Sequence, residues 1–256
     1  MNDRLMKQVL AKLCGMSTII IMLAVLIFFA VVNGMNGINF LASENLSVIV
    51  NQASFLVIVG IGQAIVILTG GINLSMGAVM AFSSVLCGGM LLKESNIFIG
   101  VPIVLVLLTG AATGLLNGVM ITKLNIPPFI ATFAMMYTCR GLAWVYLRNR
   151  VLYPLNESFR QIAMGRLFKI GGFTVTVPML IAFLALLLFF WLLRFTNFGR
   201  KVYFTGANPV AAKFSGIQTD RLLIIVYIIS SMLAAFAGMM YVARLNACEP
   251  GLATKT

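Results

Sequence analysis

Asn51, Gln52, Gln63, Asn73, Ser75, Asn117, Thr132 and Tyr137 are uncharged polar side chains set within long apolar stretches. Amides and hydroxyls so placed suit a hydroxyl-rich solute. They equally hold helices together, since each costs free energy in lipid until it is bonded. They form the candidate pathway for a polar solute. Catalysis is a different matter, because the chain has no histidine, no paired carboxylates and no Gly-Lys phosphate loop. Cys14, Cys87, Cys139 and Cys248 lie far apart without metal-ligand spacing and read as packing residues. No enzymatic activity, metal or cofactor is expected.

The elements that carry these residues follow from composition. Of 256 residues, 61% are hydrophobic and 9% charged, against about 25% charged in a soluble domain. A water-facing exterior cannot be built from so few charges, and lipid removes the need for one. Seven apolar runs stand out: 16–32, 46–68, 74–92, 97–121, 128–147, 177–193 and 222–245. A helix needs about 20 apolar residues to cross a bilayer, and these runs are continuous rather than alternating, which excludes a β-barrel. The expected fold is all-α, a polytopic transmembrane helical bundle of about seven segments forming one membrane domain over the whole chain. The run 74–92 is short and glycine-bearing enough to be broken or re-entrant.

Net charge is +12, from 18 Lys and Arg against six Asp and Glu. The cations flank the apolar runs, as membrane-bordering charge does, and offer no aromatic-studded face for nucleic acid. Arg4, Lys7 and Lys12 precede the first run, which lacks a small-residue cleavage site and reads as a retained anchor. They place residues 1–15 in the cytoplasm. Six crossings later the loop 194–221, with Arg194, Arg200, Lys201, Lys213 and Arg221, faces the same side. The loop 148–172 also carries five cations, yet one span separates it from 194–221. It must lie outside, against the positive-inside tendency.

Three local features sharpen the reading. At Thr69-Gly-Gly-Ile-Asn-Leu-Ser75 two apolar runs meet with no charge between them. Adjacent glycines unwind a helix, and Asn73 or Ser75 can cap the next one. This is either a broken helix at membrane depth or a tight turn at the surface. Arg140, inside the fifth run, needs a carbonyl partner or an interface to snorkel to. In the loop 194–221, Asn208 caps a short helix with Pro209 at its first position, and Gly216 ends it about two turns on. Val210, Ala211 and Phe214 then share one face, and the helix either docks on a protein or lies on lipid, drawn by Lys213 and Arg221.

Taken in order, Thr69-Gly-Gly-Ile-Asn-Leu-Ser-Met-Gly77, Pro128-Phe-Ile-Ala-Thr-Phe-Ala134, Arg140-Gly-Leu142, Phe198-Gly-Arg200 and Gly206-Ala-Asn-Pro-Val-Ala-Ala-Lys-Phe-Ser-Gly-Ile217 resemble the ribose-type permeases of ABC importers. Ala237-Gly238 and Val242-Ala-Arg-Leu245 extend the likeness, which runs from about residue 45 to the C-terminus. The resemblance implies a subunit of the bacterial inner membrane that pairs with a second permease subunit, identical or different. A cytoplasmic ABC ATPase would drive it, and a periplasmic or extracellular binding protein would deliver a monosaccharide or related solute. By this likeness Gly206, Asn208, Pro209, Val210, Ala211, Lys213, Phe214, Ser215 and Gly216 couple to the ATPase, while 148–172 faces the binding protein. Asn73 stands where such permeases commonly have Asp, and Val210 where they often have Glu. They also continue beyond a segment like Val242-Ala-Arg-Leu245 into further spans, so the resemblance implies that the final helices of the family are absent before Thr256. Two other readings stay open, an ion-coupled secondary carrier and a non-transporting remnant. No Asp, Glu or His interrupts any run, which disfavours proton coupling.

Overall fold

The computed structural model describes residues 17–37, 39–92, 98–148 and 150–248. Cys14 and the cations of the N-terminus lie outside the described residues. All seven apolar runs form helices: α1 (Ser17–Met35), α2 (Ser43–Leu68), α3 (Met76–Met90), α4 (Gly100–Thr122), α5 (Pro128–Leu147), α7 (Val177–Phe195) and α10 (Thr219–Leu245). Between them lie α6 (Glu157–Met164), the hairpin β1 (Arg166–Ile170) and β2 (Phe173–Thr176), and the short helices α8 (Asn197–Ala207) and α9 (Pro209–Phe214). Among the described residues α2, α4, α7 and α10 are each long and apolar enough to cross a membrane, while 19–35 and α3 are shorter apolar helices. The fold is therefore the helical membrane bundle expected, with α3 needing a separate account of its length.

Two compact units divide the described residues. The first holds α1, the start of α2 up to residue 49, and residues 170–174. Within it Phe29 stacks on Phe40 at 6.1 Å, Ser43 Oγ donates to the Gly171 carbonyl at 3.3 Å, and the Thr174 N–H donates to Ser47 Oγ at 2.8 Å.

The second unit is built around α10, the most deeply buried of the spanning helices. Its partner α4 carries Gly110, Gly114 and Gly118 on one stripe. A Cβ on Gly110 would come within 2.7 Å of Met232 Cα, and one on Gly118 within 2.7 Å of Ile224 Cα. One on Gly114 would overlap the Tyr227 carbonyl. These pairings run in opposite directions along the two chains, so α4 and α10 are antiparallel with their backbones in contact. Small residues make that approach possible where lipid gives no hydrophobic drive to associate. On its other side α10 takes α3 in parallel: Ser83 Oγ donates to the Ala235 carbonyl at 3.1 Å and Ser84 Oγ to the Gly238 carbonyl at 2.9 Å.

These directions define two ends. At one, Lys123 after α4 meets Asp220 at the start of α10, with Nζ and Oδ2 3.5 Å apart. At the other, Asn246 after α10 accepts the Leu155 N–H at 3.0 Å, and Leu152 pairs with Cys248. The segments 148–169 and 194–221 thus lie at opposite ends of this unit, as the span count requires despite their shared positive charge. Segment 148–172 is not a plain loop, however. Asn156 Oδ1 caps α6 by accepting the Ser158 N–H at 2.9 Å, and Gly171 and Gly172, both at positive φ, turn the hairpin.

Candidate translocation and coupling site

The break between α2 and α3 is built by two glycines with different tasks. Gly70 takes φ +80°, and the Gly70 and Gly71 N–H groups return to the Ile67 and Val66 carbonyls at 2.9 and 3.1 Å. That is the paired closure of a helix ending in a left-handed residue, which Gly adopts without a Cβ penalty. Gly71 instead clears space: a Cβ there would stand 2.6 Å from the Tyr227 hydroxyl oxygen. Tyr227 in turn donates to the Ile72 carbonyl at 3.3 Å, tying the break to α10.

The turn leading into α3 is built on Asn73. Its Oδ1 accepts the Ser75 N–H at 3.1 Å and the Ser75 hydroxyl at 2.7 Å. Ser75 sits at the cap position without a side-chain cap bond, and Asn73 closes a turn onto Ser75 itself in place of capping the first turn of α3. Asn73 Nδ2 donates to Ser230 Oγ at 3.1 Å, and Asn117 Nδ2 donates to Ser75 Oγ at 3.0 Å. Ser230 then points its hydroxyl at Met76 Sδ, 3.6 Å away. One buried polar chain therefore joins α4, the break and α10. Ser230 lies about 16 Å along α10 at 1.5 Å per residue. The first turn of α3 consequently begins well inside the bundle, and residues 69–75 enter it as irregular backbone in which Thr69, Asn73 and Ser75 are buried while Gly70, Ile72 and Leu74 are exposed. The break thus lies alongside α10 and not beyond its end, and α3 is short because it starts there.

Asn73→Leu is expected to strand the Ser75 N–H and the Ser75 hydroxyl proton, at about 1–3 kcal/mol per stranded buried group, while Ser230 keeps Met76 Sδ and Ser75 Oγ keeps Asn117. Thermal unfolding in detergent should show a large loss for Asn73→Leu and a small one for Ser230→Ala, which removes one weaker link.

Of the eight pathway candidates the structure gathers Asn73, Ser75 and Asn117, and their polar groups are largely engaged with one another. Asn117 is fully buried with its Oδ1 unpartnered. Asn51 and Gln63 are half-buried on α2, each with an enclosed side-chain oxygen that has no partner, and Gln52 is exposed. Thr132 is buried and its hydroxyl donates back to the Pro128 carbonyl at 2.8 Å within α5. Tyr137 is 57% exposed, edge-on to Phe133 at 4.9 Å. The Arg140 guanidinium lies 6.0 Å from the Tyr137 ring centroid. An aromatic face one turn away thus meets this intramembrane cation, a partner the sequence reading had assigned to a carbonyl or an interface.

At the end marked by Lys123 and Asp220, α8 and α9 form an angled pair. Asn208 Oδ1 accepts the Val210 and Ala211 N–H groups, both at 3.0 Å, with Pro209 in the first position as expected. Gly216 at φ +82° closes α9: its N–H reaches the Lys213 carbonyl at 3.1 Å and the Ile217 N–H the Ala212 carbonyl at 3.1 Å. Val210 is 63% and Phe214 89% exposed. Ala211, Lys213 and Ser215 are exposed beside them, and only Ala212 turns inward. Asn208→Ala should cost about 1 kcal/mol locally. Amide exchange over 209–214 would then run about fivefold faster, while the melting temperature of the bundle stays put.

Gly206 packs against the chain itself. A Cβ on it would overlap the Leu68 carbonyl, so this glycine seats the end of α8 on the last residue of α2, beside the break. The sequence reading also missed α8. Its signal was present in Thr196, whose Oγ1 accepts the Gly199 N–H at 3.4 Å, and in Val202 and Thr205, which recur on one buried face.

A membrane bundle with a helix interrupted at depth, and a capped apolar helix displayed at one end beside that interruption, has the parts of a transport permease. A family model described as the permease component of a branched-chain amino acid transport system matches residues 45–255, and the chain belongs to this permease family. The ribose import permease protein RbsC of Escherichia coli strain K12 is 34% identical over 235 residues, 91% of this chain and 71% of that protein. The fructose import permease protein FrcC of Rhizobium meliloti is 31% identical over 246 residues, 91% of this chain and 64% of that one. The galactose/methyl galactoside import permease protein MglC of Haemophilus influenzae is 33% identical over 226 residues, covering 83% and 67% respectively. No solved structure matches the chain.

Proposed function

We propose that the chain is the passive membrane subunit of an ATP-binding-cassette importer for a monosaccharide, seated in the bacterial plasma membrane. The observation that carries this reading is α9: capped, apolar and exposed, it hangs from α8, whose end rests backbone to backbone on α2 at the break. An ATPase gripping Val210 and Phe214 would move α8. The contact of Gly206 with Leu68 would pass that movement to residues 69–75 and the polar chain of Asn73, Ser75 and Asn117. The end bearing 194–221 is then cytoplasmic. The segment 148–172 faces a binding protein whose acidic residues would meet its cations, and a second permease subunit, identical or different, completes the pathway.

The substrate class follows from what the spans lack as well as from the sugar importers the chain resembles. All six acids, Asp3, Glu44, Glu94, Glu157, Asp220 and Glu249, stand outside the apolar cores of the runs. An amino-acid ammonium group would find no carboxylate there, whereas amides and hydroxyls serve a sugar well. Val210→Ala combined with Phe214→Ala tests the coupling assignment. The ATPase should no longer co-purify with the double variant, although its melting temperature matches the parent. Undiminished co-purification would refute the role given to α9.

A further inference from the structure

At the end of the second unit where α4 stops and α10 begins, three cations from three separate elements converge on one cavity of about 360 Å³. Lys123 follows the last residue of α4, Lys213 belongs to α9, and Arg221 lies in the first turn of α10. Gln218 and Thr219 add polar groups to the wall. The one carboxylate there, Asp220, stands 3.5 Å from Lys123 and offsets a single cation, so the cavity keeps a surplus of two positive charges.

We propose that this cavity binds the phosphodiester head group of an anionic phospholipid. Its depth argues for lipid. Thr122 and Thr219 are the terminal residues of two helices able to span the membrane. A cavity between their ends therefore sits where hydrocarbon gives way to head groups, the level at which lipid phosphates lie. Basic pockets between span ends on the cytoplasmic side are suited to such groups. The surface offered to a protein partner is different: it is the apolar face of Val210 and Phe214 on α9. A neutral sugar has no use for a cationic surplus. Occupied, the site would clamp α9 through Lys213 to the ends of α4 and α10, so that lipid charge restrains the helix that moves. The binding claim rests on the membrane fold and stands whether or not the transported solute is a sugar.

Native mass spectrometry of the purified full chain, loaded with phosphatidylglycerol or phosphatidylcholine, tests it. Phosphatidylglycerol should be retained selectively. Lys213→Gln with Arg221→Gln should weaken retention by about thirtyfold, the factor for two cations at a membrane surface. Lys213→Arg with Arg221→Lys should keep it, as should Arg148→Gln with Arg150→Gln at the opposite end. Raising the salt concentration should release the lipid from the unaltered chain, an arm that does not depend on any variant folding. Equal retention of phosphatidylcholine, equal loss from the opposite-end variant, or retention indifferent to salt would overturn the proposal. Displacement by millimolar inorganic phosphate would show a free-phosphate site and overturn the lipid assignment.

Discussion

Gly114→Leu is expected to unseat α4 from α10 and to cost the bundle more than any other single substitution considered. The Cβ alone would already overlap the Tyr227 carbonyl, and backbone cannot move aside as a flexible side chain can. Overpacking of a close contact costs about 1–3 kcal/mol and rises further when main chain must shift. The same displacement would pull Asn117, one turn on, away from Ser75, and so open the polar chain at the break. Gly114→Ala should lie between, with the order Gly > Ala > Leu in thermal stability in detergent. Leu115→Ala, on the exposed side of the same turn, should be near neutral. Equal melting temperatures for Gly114→Leu and Leu115→Ala would show that α4 and α10 do not approach as closely as described.

Gly206→Leu should give the second large effect, of another kind. It strikes the junction of α8 with the end of α2 while leaving the α4–α10 contact intact. The protein is expected to reach the membrane and to bind its ATPase through Val210 and Phe214. ATP hydrolysis stimulated by the loaded binding protein should nevertheless fall more than about tenfold, as when a coupling of over about 1.4 kcal/mol is removed. Phe214→Ala separates the two roles, since it should weaken ATPase binding and leave the junction unaltered. Loss of ATPase binding in Gly206→Leu, in place of loss of stimulation, would make Gly206 part of the docking surface after all.

Much of the bundle was legible because continuous apolar runs translate directly into helices when lipid is the solvent. The fifth run, 128–147, coincides with α5 residue for residue, and Asn208-Pro209 with Gly216 fixed α9 through capping chemistry that is local in sequence. The polar chain was less accessible. Asn73, Ser75 and Asn117 could each be singled out as costly in lipid, but their union with Ser230 depends on residues more than 40 and 150 positions apart. No periodicity reports such pairings. The contact of Gly206 was hidden for a similar reason: its neighbour in sequence is the helix α9, and its neighbour in space is Leu68. Gly110, Gly114 and Gly118 recur at four-residue spacing, but the helix they approach is set by Met232, Tyr227 and Ile224, more than 100 positions away. In 148–172 the signals were local, an Asn156 cap and a Gly171-Gly172 turn, whereas the positive charge of the segment carries no information on its secondary structure.

The central claim, that transport is passive in this chain and driven from outside it, is tested by solute uptake into sealed proteoliposomes. These would hold the chain with its ATPase, with ATP enclosed on the ATPase side and binding protein on the other, and be offered radiolabelled ribose, fructose or galactose. The account predicts uptake of at least one sugar that requires ATP, the ATPase and the binding protein together, and that an ion gradient alone does not support. Uptake by the chain alone, driven by a proton or sodium gradient, would contradict it.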